Sequence, residues 1–231
     1  MSAFNNTHAT VPSVLRLGRG WFASPGTRQP EQQLHLYEFE SCPFCRKVRE
    51  VLCELDLAYV NHPCPKGSNN RDQVMAKGGK LQFPYFVDPN TGTEMYESEA
   101  IITYLLDTYG SGRSALGKVA APLNTFGSAL ASVARSRGGR TEGAAATRTQ
   151  PVEPLVLYNF EASPFCRKVR ESLGTLNLDH VVANVARNGV RRAELVERGG
   201  KMMVPYLIDP NTGTEMYESD DIVAYLQQTY G

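Results

Sequence analysis

Apolar and polar residues alternate through Leu34-His35-Leu36-Tyr37-Glu38-Phe39, the period of a short strand. The period then lengthens. Pro43 stands where a helix would begin, and Val48, Leu52 and Leu55 follow at helical spacing. Leu57–His62 reads as a second strand, and a weaker helical stretch over Asn70–Lys77 stops at Gly78-Gly79. Phe83–Asp88 is a third strand that opens on a proline, Pro89–Gly92 a turn, and Thr93–Tyr96 a short fourth strand. Ser98 is placed to cap a last helix with an apolar face of Ile101, Ile102 and Leu105. The order β-α-β-α-β-β-α predicts parallel strands joined by helices plus one antiparallel hairpin, a mixed four-stranded sheet.

The whole pattern then recurs. Leu34–Gly110 aligns with Leu155–Gly231 at a constant offset of 121 residues, without insertion or deletion. About half the aligned positions are identical, far beyond what composition produces. Phe39–Glu50 (FESCPFCRKVRE) returns as Phe160–Glu171 (FEASPFCRKVRE), and Val87–Ser98 (VDPNTGTEMYES) as Ile208–Ser219 (IDPNTGTEMYES). The expected organisation is an N-terminal arm over 1–33, a first domain over 34–110, a linker over 111–154 and a second domain over 155–231. Within the linker, Leu123, Phe126, Leu130 and Val133 form a stripe at helical spacing, read as a short docked helix. In the arm, Leu15, Leu17 and Trp21 are read as packing onto the core; its scarcity of acid also resembles a transit peptide.

Composition narrows the partners. Basic and acidic residues number 24 each, so no basic excess argues for nucleic acid. No apolar run has the length of a membrane span, and no secretory leader is recognisable, so a cytoplasmic protein is expected. The five cysteines, an odd number with two in one C-x-x-C, do not form the paired pattern of a disulfide framework.

The chemistry concentrates at Cys42-Pro43-Phe44-Cys45. With Cys42 at a strand end and Pro43 opening the helix, the Cys42 sulfur faces unpaired amides and the positive end of the helix dipole. That setting lowers a thiol from its usual value of about 8.5. Arg46 and Lys47 add positive potential. Cys45 is near enough to resolve a mixed disulfide formed at Cys42, the second thiol that disulfide exchange needs. Zinc is the alternative, with His62 and Cys64 as further ligands, although Pro-Phe between the cysteines at a helix start suits redox chemistry better. Cys53 and Cys64 align with Gly174 and Val185 and read as structural thiols.

Strand, Cys-Pro-Phe-Cys at a helix start, a strand opening on Pro84, and Glu97-Ser98 at the next helix start resemble the glutathione-binding thioredoxin fold. Glutaredoxins and the N-terminal domain of glutathione transferases share that fold. Cys42–Arg49 (CPFCRKVR) also resembles the thioredoxin-like domain of prostaglandin E synthase type 2. The resemblance covers both repeats and implies an α/β chain of two tandem thioredoxin-like domains. It implies that glutathione is the co-substrate, that Cys42 is the nucleophile and Cys45 the resolving thiol. It also implies a cis Pro84 with the Phe83 backbone pairing to glutathione, Glu97 and Ser98 on its γ-glutamyl end, and Arg46 nearby. Glutaredoxins commonly carry a lysine before the first cysteine. Here Glu38 and Glu40 stand in that stretch, and they are expected to push the thiol upward.

The second repeat keeps Cys166, Val204, Pro205, Glu218 and Ser219 but has Ser163 for the nucleophile. No histidine is placed to activate that hydroxyl, so exchange at Ser163 is excluded chemically. The second repeat is expected either to bind glutathione or to complete a pseudo-symmetric pair. The expected activity is glutathione-dependent thiol–disulfide exchange on protein or small-molecule disulfides, without a resident metal. The competing classes are a non-enzymatic glutathione- or protein-binding module and a transferase-like protein without the helical C-terminal domain. An iron–sulfur site at Cys42 is a further possibility by analogy alone.

Overall fold

The structure is a computed structural model, and it describes residues 20–24, 26, 28–112, 145 and 147–231. The stripe Leu123–Val133 and the arm residues Leu15 and Leu17 lie outside the described residues. Each repeat holds four strands and three helices. The first has β1 (Leu34–Glu38), α1 (Pro43–Glu54), β2 (Tyr59–Pro63), α2 (Asn70–Gly78), β3 (Tyr85–Asp88), β4 (Thr93–Tyr96) and α3 (Ser98–Thr108). The second has β5 (Leu155–Asn159), α4 (Pro164–Thr175), β6 (His180–Asn184), α5 (Arg191–Gly199), β7 (Tyr206–Asp209), β8 (Thr214–Tyr217) and α6 (Ser219–Tyr230).

The two four-stranded sheets are one sheet of eight, in the order β4-β3-β1-β2-β6-β5-β7-β8. Within a repeat β1 and β2 are parallel while β3 and β4 run antiparallel, as the element order predicted. The join is the antiparallel pair β2–β6, with Val60 opposite Val181, Tyr59 opposite Val182 and Asn61 opposite His180. Val60 and Val181 are equivalent by the 121-residue offset. A pseudo-twofold axis therefore passes between them, the covalent counterpart of an isologous dimer contact. The join removes two sheet edges that would otherwise offer unpaired backbone groups.

Alternation along β1 sends Leu34 and Leu36 to one face, where they pack with Val48, Leu52, Ile101 and Leu105 of α1 and α3. His35 and Tyr37 go to the other face, where Tyr37 packs with Val74 of α2. The second repeat is built the same way around Leu155, Leu157, Val169, Leu173 and Ile222.

The repeated DPNTG and TYG stretches have a structural cause. Asp88 is fully buried; its Oδ1 accepts from the Asn90 amide at 2.8 Å, and its Oδ2 accepts from Tyr104 at 2.6 Å and Tyr109 at 2.5 Å. Asp209 does the same for Asn211, Tyr225 and Tyr230. One carboxylate thus ties the β3–β4 turn to α3.

The segment before each repeat reaches across to the other one. The Ala23 amide donates to Arg187 O at 2.6 Å, the Arg187 amide to Trp21 O at 2.9 Å, and Trp21 meets Phe160 edge-on at 5.6 Å. Ahead of β5, Arg148 O accepts from Asn69 Nδ2 at 3.3 Å. Trp21 is thus an arm residue set against the second repeat.

Candidate active site and repeat seam

Cys42 ends the loop after β1 in an extended conformation, and its sulfur caps α1 by accepting from the Cys45 amide at 3.2 Å. Pro43 takes the first helical position, where its missing N–H costs nothing. The Cys45 thiol, then the Cys45 and Phe44 amides, hold the Cys42 thiol below its usual value against the opposing effect of burial. The nearby Glu38 acts in the expected upward direction, but it does not decide the sign. Burial pushes the Cys45 thiol well up, and hydrogen bonding to Cys42 adds to it. The two thiols are therefore polarised in opposite senses, Cys42 toward the thiolate and Cys45 toward the neutral thiol. Cys42 itself is only 4% exposed, whereas Phe44, two residues on, is 47% exposed.

The Phe83–Pro84 and Val204–Pro205 peptide bonds are both cis. Pro84 is buried, Phe83 half-buried, and Phe83 packs edge-on against Phe39 of the loop before Cys42. Ser98 is the first residue of α3 rather than its cap. Glu97 is the boundary residue, at a positive φ of 70°, and makes no side-chain cap. Glu218 repeats this at 67°. A glutamate in that region is sterically strained, so both repeats hold the same uncommon turn into the helix. Glu97 is exposed and accepts from Gln82 Nε2, while Ser98 is buried.

In the second repeat Ser163 reproduces the Cys42 cap, its Oγ accepting from the Cys166 amide at 3.2 Å. Cys166 is fully buried, and burial pushes its thiol up. Of the residues weighed for zinc, Cys64 donates to His62 O at 3.4 Å. The His62 ring lies between His35 Nδ1 at 2.9 Å and Asp179 Oδ2 at 2.6 Å. Among the described residues no group of three or more ligating side chains could hold a metal ion, and no helix is long and apolar enough to cross a membrane.

Arg46 lies elsewhere than the resemblance implied. It is 2% exposed and faces the charges of Glu161 and Glu40, with burial pushing its guanidinium down. It belongs to a buried ionic cluster where α1 and α4 meet across the pseudo-twofold. Arg49 Nε and Nη2 donate to Glu161 at 3.1 and 3.2 Å. The reciprocal Arg170 Nε and Nη2 donate to Glu40 at 3.0 and 3.1 Å. Paired charges of this kind are strong because the fork geometry is matched. Burial opposes ionisation of both acids, but Arg170 and Arg49 hold Glu40 and Glu161 below the usual carboxylate range. Glu40 thus faces the second repeat, and the expectation that it would burden the thiol is corrected. Sequence reading missed this cluster. The signal was Arg46 and Arg49, recurring unchanged as Arg167 and Arg170 at the 121-residue offset.

The two halves of the cluster differ beside the first strand of each repeat. Arg49 Nη1 donates to Glu38, whereas Arg170 Nη1 donates to Asn159, the equivalent residue.

Residues 36–114 and 157–231 each match the family described as glutathione S-transferase, N-terminal domain. A comparison with curated proteins found no match. Among solved structures, the Bombyx mori glutathione transferase BmGSTD1 is similar at 29% identity and a TM-score of 0.31. That similarity covers 36% of this chain and 38% of that one. The Leishmania protein TDR1, described as a unique trimeric glutathione transferase, is similar at 14% identity and a TM-score of 0.31, over 87% of this chain and 67% of that one. This chain thus spans well under half the length of the Bombyx transferase. By the two family matches, the chain belongs to the glutathione S-transferase N-terminal domain family and carries that domain twice.

Proposed function

We propose that the protein is a glutathione-dependent thiol–disulfide oxidoreductase working through Cys42 and Cys45, with the second repeat a non-exchanging partner. The observation that supports it best is the cap on α1. The Cys42 sulfur is held by the helix's own amides and made more acidic, one turn from a buried thiol made less acidic. Cys42 attacks a mixed disulfide, expels the substrate thiol and is left joined to glutathione. Cys45 or a second glutathione then resolves it. Phe83, Pro84, Glu97 and Ser98 are the residues that would seat the tripeptide. The cis-proline presents the Phe83 backbone, and the first amides of α3 suit a carboxylate. The substrates are protein or small-molecule disulfides.

The test is reduction of a glutathione mixed disulfide by the full-length protein and by its Cys42→Ser and Cys45→Ser variants. Wild-type turnover lost in Cys42→Ser is expected; no wild-type turnover would sink the enzyme reading. Activity kept in Cys45→Ser would mark resolution by glutathione.

A second reading has its own observation. Ser163 holds its hydroxyl where Cys42 holds its sulfur, on the same cap at the same distance. The second repeat therefore offers a site that donates a hydrogen bond to a glutathione sulfur without exchanging it. Glutathione titrated into full-length Glu97→Ala protein isolates that site. A remaining stoichiometric heat is expected, and its absence leaves the second repeat a brace.

A further inference from the structure

The chain has four histidines. His8 lies outside the described residues, and the other three stand in the neighbouring strands β1, β2 and β6, where the repeats join. The join ends on Asn61 opposite His180. One step further His62 meets Asp179, its Nδ1 2.6 Å from Asp179 Oδ2. His62 Nε2 is in turn 2.9 Å from His35 Nδ1. Asn70 Nδ2 donates to Asp179 Oδ1 at 2.8 Å, and Tyr37 stacks on the His62 ring. The opposite end of the join has none of this. There, by the 121-residue offset, Ala183, Ala58 and Val156 stand for His62, Asp179 and His35.

We propose that the His35–His62–Asp179 chain is a proton-operated latch that closes one end of the join between the repeats. The latch stands apart from the dithiol chemistry and does not depend on it. A carboxylate only accepts, so His62 Nδ1 carries a hydrogen. In the neutral ring His62 Nε2 is then the acceptor, and His35 Nδ1 donates to it. One added proton leaves the contact intact, because a single hydrogen still lies between the two nitrogens. A second proton puts a hydrogen on both nitrogens and sets two imidazolium charges face to face. The bond between the rings is then lost.

The neighbouring pair makes this end ready to open. Asn61 and His180 are buried, and among the described residues neither Asn61 Oδ1 nor His180 Nε2 has a hydrogen-bond partner. Buried polar atoms without partners favour a state that water can reach. Burial, then the charges of His62 and of Lys77 from α2, push His35 below the ordinary imidazole value, and Asp179 opposes them. Burial pushes His180 down to about 4; its bond to Leu178 O and the charge of Asp179 oppose, while Arg170 and His62 add to the fall. Tyr37 and Cys64 beside His62 stay neutral, because burial pushes both up. His35 and His180 therefore take up protons when the end opens. The stability held in the closed end is whole above the ordinary imidazole value of about 6.5. It is lost as pH falls from there toward the lower folded values. Glu40 and Glu161 of the ionic cluster, held low, take no part in that window.

The experiment is amide hydrogen exchange on the full-length protein at about pH 7.5 and about pH 5.5, corrected for the intrinsic effect of pH on exchange. In wild type the opening equilibrium at residues 60–62 and 179–181 is expected to rise about 30-fold or more on acidification. In His35→Val, the side chain that the second repeat has at this place, it should rise no more than about tenfold, with His180 alone left to take a proton. Residues 58, 59, 182 and 183 at the opposite end should respond less than the latched end, and β3 and β7 least of all. The double variant His62→Ala with Asp179→Ala, which copies the alanines of the opposite end, should respond no more steeply than His35→Val. An equal rise in wild type and His35→Val overturns the latch. So does a double variant as steep as wild type. A rise in β3 and β7 as large as that at the join also overturns it, because the whole molecule would then be unfolding.

Discussion

At the residue scale two glutamates at equivalent helix starts carry the sharpest mark. Glu97 and Glu218 hold positive φ at equivalent places, and non-glycine residues in that region store about 1–3 kcal/mol. Such strain persists where the surroundings demand the conformation, and here it turns the first amides of α3 and α6. Glu97→Gly is expected to stabilise the fold by up to about 1 kcal/mol while weakening glutathione binding about tenfold or more. Urea unfolding and isothermal titration measure the two effects separately. A stabilised variant that binds as well as wild type would remove Glu97 from the site. The dithiol was legible at this scale, because proline after Cys42 announces a helix start and a helix start makes a thiol acidic. The place of Arg46 was not legible. A basic residue one turn into the helix reads the same whether it faces a ligand or an interface.

At the element scale the repeated turn carries stability rather than chemistry. Asp88 accepts from two tyrosines and from the Asn90 amide and side chain in a fully buried place. These bonds hold its carboxyl below the usual range despite burial. Asp88→Asn is expected to cost about 2–3 kcal/mol by chemical denaturation, since charge-assisted bonds weaken and a buried amide N–H is left without an acceptor. Asp209→Asn should cost the same; a difference much over 1 kcal/mol would mean the two turns are not equivalent supports. The motif was conspicuous in the sequence for its exact repetition, but the partners of the aspartate were not. Tyr104 and Tyr109 are 16 and 21 residues away, and only the packing of α3 brings them to the turn.

At the scale of the whole molecule the seam makes one body of the two repeats. Arg49 and Arg170 exchange forks with Glu161 and Glu40 across the pseudo-twofold. Removing one partner of a buried pair leaves its charge uncompensated, at a cost of about 3–5 kcal/mol. Glu161→Gln is expected to lose about 3 kcal/mol of unfolding free energy. Trp21, the chain's one tryptophan, meets Phe160 edge-on at the seam, so its fluorescence and the far-ultraviolet dichroism should report one coincident transition. Two separated transitions would show independently folding repeats. Because Glu40 and Glu161 are held below their unfolded range, their contribution is complete above a pH of about 4.5. It is lost as pH falls through their lower folded values. Acid should therefore open the seam in wild type, with a shallower loss in Glu161→Gln.

The sequence by itself determined the two α/β units, their order of elements, the polarised thiol and the absence of one from the second copy. Those features are local: periodicity, a proline, a cysteine at a helix start, and an offset that never slips. Tertiary structure decided that the two sheets are one and that Arg46 and Glu40 face the other repeat. It also decided that Glu38 pairs with an arginine shared between the halves. Each of these depends on which surfaces meet across the pseudo-twofold. Charged residues on a helix do not declare whether water or another charge will compensate them until the opposing helix is in place.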